Sequence, residues 1–517
     1  MKGYFYFLCL IALIIFSGCS GNNYQEVKIK KVLEIAGKNR AELRKVIDYY
    51  KRQNNTLKLQ AAYYMIGNLD EQYHYEGYGI FKYRENFERM DSLLRSGHGI
   101  FNRSWDSLQR IYPPPQLNTV GAVLDASMLK ANFLIKNIED SFKAWQYPWA
   151  RNMNFNDFCK YLLPYKLVNE EPELWKSMVQ KEYSWVLDSM KGDSSSLKAC
   201  LMINRQLKRT FYINARVECA WNMNYSDLKK THTGKCSDAT QLTAYVMRAM
   251  GIPVTMDYTP FWANKDVGHQ WNSLLLNNKN YFFVGSESDP GKNKIVFTRS
   301  YWIRRKRAKV FRLSQEKING ALASHSINDY EIPQVFSNPR MEDVTRKYVP
   351  TADVNIKLNG SVSDAKFVYL CIFNDRVWRP IAWAKVGYFN RVTFKDMGLE
   401  IVYLPAYYQD RTLVPAGMPF ILQKNGVISK LVPKINMKLK TQLYQKYPED
   451  KTNYIFPGMN YELFYWNNKW ISLGRKKADK SSLTYNVPFN SLFWLRNLDK
   501  GKQERIFTYE KKSQIWW

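Results

Sequence analysis

The sequence predicts an α+β multidomain protein, and three observations carry that expectation. The chain has 517 residues, 45% hydrophobic and 15% aromatic, which is too long for one core and too apolar for a disordered chain. Residues 24 to about 225 repeat helical patterns. Past about residue 345, short aromatic and β-branched runs alternate with turn residues.

The helical half is read first. Asn39 to Tyr50 is expected to be a helix, with Asn39 as its cap and Glu42 at the third position of a capping-box-like arrangement. Leu43, Val46, Ile47 and Tyr50 form its apolar stripe. "LKLQAAYYMIGNL" continues in helical style and stops near Gly67-Asn68. "AVLDASMLKANFLIKNIEDSFKAW" and "EPELWKSMVQKEYSWVLDSM" predict further helices, and "YPPPQ" separates the first helical group from the second. Character changes after Pro253, where "HQWNSLLL" and "NYFFVGSE" read as strands. In the last third, "KFVYLCIFN", "WRPIAWAKV", "RVTFKD", "EIVYLPAYY" and "MPFILQKNGVISKLV" are strand-like runs at the spacing of a sandwich. Asn425-Gly426 marks a hairpin, and Asn467-Asn468 in "YELFYWNNKWISLG" marks another. The expected boundaries are 1–18 for a leader, 19–200 for a mainly helical region, 201–340 for a mixed core, 341–435 for a β-sandwich-like domain and 436–517 for a small β domain.

The first residues, "MKGYFYFLCLIALIIFSGCSGNN", combine Lys2 with an apolar run too short to span a bilayer comfortably. Phe16-Ser17-Gly18-Cys19 resembles a bacterial lipobox, which implies removal of residues 1–18 and lipidation of Cys19. The expected location is the cell envelope, with the chain anchored to a bacterial membrane, the outer one. Formal charge is +30, and the tightest basic cluster is Arg304-Arg305-Lys306-Arg307. An exported lipoprotein rarely meets nucleic acid, so no nucleic-acid partner is expected. A solvated Lys-rich surface is the simpler account, with an anionic membrane or envelope polysaccharide as the available counter-surface.

Seven cysteines are present, and five lie beyond the leader and Cys19: Cys159, Cys200, Cys219, Cys236 and Cys371. Their spacing shows no CxxC pair and no metal framework; His232 and Cys236, four apart, make only two ligands. No metal and no cofactor are expected. Cys236 opens a helix bearing Ala239, Leu242, Val246 and Ala249 on one face, with Gly251 and Pro253 as its stop. A thiol in that first turn is favoured as thiolate by the helix dipole, and a backbone N–H there can face an oxyanion. His269 begins the next predicted strand, after a loop of about 18 residues, so helix-borne Cys and strand-borne His can meet.

These residues carry a resemblance. "GKCSDATQLTAYVMRAMGIPV" followed by "GHQWNSLL" is similar to the core of the transglutaminase-like superfamily, over roughly residues 231–290. The chain as a whole resembles Bacteroidetes-type exported lipoproteins that carry this domain. The resemblance implies a papain-like fold and a Cys-His-Asp triad, with Cys236 as nucleophile and His269, beside Trp271, as base. It implies an amidase, peptidase or transamidating acyltransferase acting on a protein, peptide or glycopeptide. The family usually ends its next strand with Asp, where this chain has Gly285. A register that sets Ser273 opposite Phe283 brings Glu287 to the face of His269, whereas a two-residue loop gives that face to Ser286 and Ser288. Glu287 is the expected third residue, and Asp289 the alternative. An inactive relative that holds a glycan or protein partner is the competing expectation. Trp466, Trp470, Trp494, Trp516 and Trp517 suit stacking on sugar rings, although strand-borne tryptophans more often fill a core.

Overall fold

The computed structural model describes residues 26–517 apart from 96–97, 112, 116, 215–216, 218, 278, 293–304, 326–331, 360–364, 449–453 and 502–503. Cys19, the leader and Arg304 lie outside the described residues. The chain is α+β, with helices towards the N-terminus and antiparallel sheets towards the C-terminus. It divides into two compact units: Met1–Met256 with Trp271–Lys292, and Asp257–Gln270 with Asn293–Trp517. The expected helical region falls in the first unit, and both expected β domains fall in the second.

In the first unit the stripe Leu43, Val46, Ile47 and Tyr50 is buried on helix Arg40–Arg52. Its expected capping box does not form. Asn39 closes a preceding 3-10 turn, and its Nδ2 donates to the carbonyls of Ala126 (3.0 Å) and Leu129 (2.8 Å). The Glu42 carboxylate accepts instead from Ala131 N–H at 2.9 Å, which starts helix Ala131–Trp145. Tertiary partners have outbid the local cap for both side chains.

A second difference lies just upstream. Gly121–Leu124 is a strand rather than helix, paired antiparallel with Tyr73–Glu76. Asp125, which follows it, is fully buried and binds His74 Nδ1 at 2.8 Å, along with Tyr165 and Lys166. Burial opposes ionisation of Asp125, but His74 and Lys166 outweigh it and hold its carboxyl below the usual range.

In the second unit, the strands Phe367–Asn374, Val377–Lys385, Ile401–Gln409, Thr412–Pro415, Phe420–Leu422 and Ile428–Lys430 form one sheet. Its first face packs on the ribbon Thr351–Lys357 with Arg391–Gly398, through Val368, Leu370 and Ile372 against Val354 and Phe394. Its second face, carrying Tyr369, Cys371 and Phe373, packs on Trp466, Leu492, Trp494 and Ile506 from the C-terminal strands. A strand buried on both faces has no polar side, hence the unbroken apolar run "FVYLCIF". Both hairpins are present: Gly426 is left-handed (φ 81°) between Phe420–Leu422 and Ile428–Lys430, and Asn468 (φ 58°) lies between Asn460–Trp466 and Trp470–Lys477.

The basic cluster does not behave as a solvated face. Arg305 and Arg307 are buried within the second unit. Burial holds Lys306 down to about 8, against the opposing pull of Glu400. Among the described residues no helix is long and apolar enough to cross a membrane.

Candidate active site

The cysteine helix spans Cys236–Ala249, with Cys236 as its first residue and half-buried. Lys235 precedes it in extended conformation and supplies a backbone N–H, which the Asp238 carboxylate accepts at 2.7 Å. A methyl group on Gly234 would lie 2.5 Å from that carboxylate, so the Gly-x-Cys turn needs its glycine for Asp238 to close over it. Thr240 Oγ1 donates to the Cys236 carbonyl at 2.7 Å. The helix is buried on every side from Ala239 to Ala249, so the expected stripe is only part of its packed surface. Gly251 is left-handed (φ 73°) beyond its end, and Ile252 N–H returns to the Met247 carbonyl at 2.8 Å.

The histidine strand, His269–Leu276, pairs antiparallel with Lys279–Phe283. Two residues connect them, so Ser273 faces Phe282 and Asn272 faces Phe283. The register that led to Glu287 is therefore not the one formed, because a two-residue loop reverses the parity. The second strand ends at Phe283, and Glu287 sits in the turn beyond it, half-buried, with its N–H on the Val284 carbonyl at 3.0 Å. Ser286 takes a left-handed conformation (φ 64°) in that turn.

Asp289 is engaged by another helix. Its Oδ1 accepts from Asn204 Nδ2 at 2.9 Å and from Lys208 at 2.6 Å, both on Ser196–Thr210. Burial opposes its ionisation, but Lys208 and Asn204 outweigh that and keep the carboxyl below its ordinary value. Asn204 also donates to the Ser288 carbonyl and accepts from Ser286 N–H. These bonds anchor the "GSESDP" turn.

Gly285, where the sequence resemblance led to the expectation of Asp, lies against the cysteine helix. A methyl group on it would come within 2.5 Å of Thr243 Cβ and 2.7 Å of Cγ2. The backbone at 285 thus occupies the space in which a larger residue would need its side chain. Asn272 secures this junction, and sequence reasoning missed it. Fully buried, it donates to the carbonyls of Thr240 (2.9 Å) and Thr255 (3.2 Å) and accepts from Gly285 N–H (3.3 Å). Its only sequence trace is one amide inside the apolar run "WNSLLL".

Cys236, Gly285, Glu287 and Asp289 belong to the first unit and His269 to the second. Within the second unit His269 is half-buried and stacks on Trp262, with ring centroids 6.0 Å apart. His232 is a left-handed loop residue at the end of helix Tyr225–Thr231, its Nδ1 3.1 Å from the Thr210 carbonyl. Cys159, Cys200 and Cys371 are buried, and burial pushes the Cys200 and Cys371 thiols far up; Cys219 and Cys236 are half-buried. Among the described residues no two cysteines are bonded, and no group of three His, Cys, Asp or Glu side chains is placed to hold a metal. No family model matches the chain, and no curated protein matches it either.

Proposed function

We propose that this chain is a lipid-anchored envelope protein with a transglutaminase-like, papain-type site that hydrolyses amide or peptide bonds through a thioester on Cys236. The Cys236 sulfur attacks the carbonyl carbon while His269 takes the thiol proton. The C–N bond then breaks, and His269 returns the proton to the leaving amine. Water attacks the thioester, with His269 as base, and releases the acid and the thiol. An amine in place of water gives a cross-link instead. Glu287 is the carboxylate proposed to orient His269, from the turn after Phe283 rather than through the cross-strand register expected from the sequence, and Cys19 carries the membrane anchor. The substrate is a protein, peptide or glycopeptide, and the chemistry requires no cofactor.

The observation that carries this reading is the setting of Cys236. It is the first residue of a helix whose start is fixed by Gly234 and Asp238 and whose body is fully packed. A nucleophile held this way keeps its geometry, and the helix N-terminus favours a developing oxyanion. Turnover of a broad peptide and glycopeptide panel by the purified chain, against Cys236→Ala, tests it. Loss of turnover in the variant, together with a trapped acyl-enzyme seen by intact mass in the wild type, supports the reading. Equal turnover defeats it.

One observation favours a second reading, a binding lipoprotein on a retired enzyme fold. Gly285 is packed against Thr243 where the family usually has a carboxylate.

A further inference from the structure

A cavity of about 890 Å³ opens in the second unit, between the first turn-connected strands of the sandwich and the hairpin Asn460–Trp466 with Trp470–Lys477. Trp378, Trp466 and Trp470 line it, together with Arg379, Arg411 and Lys469. We propose that this cavity is a binding site for a short carboxylate-bearing oligosaccharide, a uronate-type glycan.

The aromatic walls set the shape of the ligand. Trp378 and Trp466 have ring centroids 5.4 Å apart at 74°, and Trp466 and Trp470 5.0 Å apart at 82°. Neighbouring rings meet edge to face, so the cavity has apolar planes in more than one orientation and no parallel stack. A pyranose ring matches such walls, because its faces are C–H surfaces and its rim is hydroxyl oxygen.

The polar atoms are the independent observation. Trp378 Nε1, Trp466 Nε1 and Arg379 Nε are buried and have no hydrogen-bond partner among the described residues. Trp466 is only 5% exposed. Leaving a buried donor unpaired is costly, so native proteins rarely leave several together without a use for them. All three are donors. A ligand that reaches these enclosed nitrogens must bring acceptors, which a sugar's hydroxyl and ring oxygens supply.

Charge sets the class of sugar. Among the described residues the lining contains Arg376, Arg379, Arg411 and Lys469 and no acidic residue. The Arg379 guanidinium forms an ion pair with Asp375 at 3.8 Å, longer than a hydrogen bond. Arginine recognises carboxylates in a fixed, two-pronged geometry. A cavity of this volume is in the range that encloses small ligands, which suits a few sugar rings rather than a long chain. Nothing in this assignment depends on turnover at Cys236, and its experiment leaves that residue untouched.

The test is titration of the full-length chain in detergent, followed by tryptophan emission and calorimetry. The probes are tetrasaccharides of galacturonate, guluronate and hyaluronan, carboxyl-reduced oligogalacturonate as the neutral counterpart, and an octamer of thymidylate. The expected result is submillimolar binding of at least one uronate, with its reduced form at least tenfold weaker. Trp470→Ala should weaken binding at least tenfold. Lys469→Glu, on an exposed turn where folding is not at stake, should weaken it at least threefold. The proposal is overturned if no uronate binds, if the neutral sugar binds equally, if the oligonucleotide binds more tightly, or if Lys469→Glu binds like the wild type.

Discussion

Replacing Gly285 with alanine places a methyl group where the cysteine helix already is. The new carbon would sit 2.5 Å from Thr243 Cβ and 2.7 Å from Cγ2, distances that real Cβ contacts do not reach. Thr243 cannot yield easily, since it is fully buried and its Oγ1 donates to the Ala239 carbonyl at 2.8 Å. Overpacking of this kind costs about 1–3 kcal/mol. Alanine returns about 0.4–1 kcal/mol through a less flexible unfolded chain, because Gly285 is not in the left-handed region. The net expectation is a loss of about 1–2 kcal/mol. Aspartate is expected to cost more, since its carboxylate enters the same packed space. Native-state hydrogen exchange of residues 239–249 reads the effect in this unit directly. A companion Thr243→Ala should recover only part of the loss, because Cβ remains, whereas Thr243→Gly removes the obstruction and should couple favourably with Gly285→Ala. If Gly285→Ala lies within about 0.5 kcal/mol of wild type, the close approach argued from these distances is wrong.

Three further outcomes follow from the same structure. Arg312 holds Asp257 by two bonds of 2.8 Å with both side chains buried, so Arg312→Met should cost about 3–5 kcal/mol by stranding the carboxylate, as measured by urea unfolding. Asp289 is held below its ordinary pKa when folded, so its contribution is present above the unfolded value near 4 and lost as pH falls through the folded one; Asp289→Asn should therefore differ from wild type at pH 6 and converge with it in an acid titration below about pH 4. Because that carboxylate is partly exposed, the difference should be about 1 kcal/mol or less. In the folded chain at pH 7, iodoacetamide should modify half-buried Cys236 while Cys200 and Cys371 stay unmodified until denaturant is added, read by peptide mass; labelling of Cys200 or Cys371 before Cys236 would contradict the burial described.

The sequence by itself determined the elements whose instructions are local. Leu43, Val46, Ile47 and Tyr50 at helical spacing gave a buried stripe, Gly251 closed the cysteine helix, and the turns at Gly426 and Asn468 adopted the left-handed backbone that hairpins require. The order of Gly-x-Cys turn, helix and histidine strand was equally legible, since each is a run of neighbours. Only the tertiary structure decided which partner a polar side chain takes. Asn39 and Glu42 had a plausible local cap and used distant backbone instead, and Asp289 went to Lys208 on a helix some eighty residues upstream. Register was also beyond the sequence, because one residue more or less in a loop reverses which face a strand presents, and both parities fit the same letters. The Gly285–Thr243 approach, the Asn272 junction and the cavity donors on Trp378, Trp466 and Arg379 share that cause: each is set by segments far apart in the chain, whose separation is fixed only when the cores between them are packed.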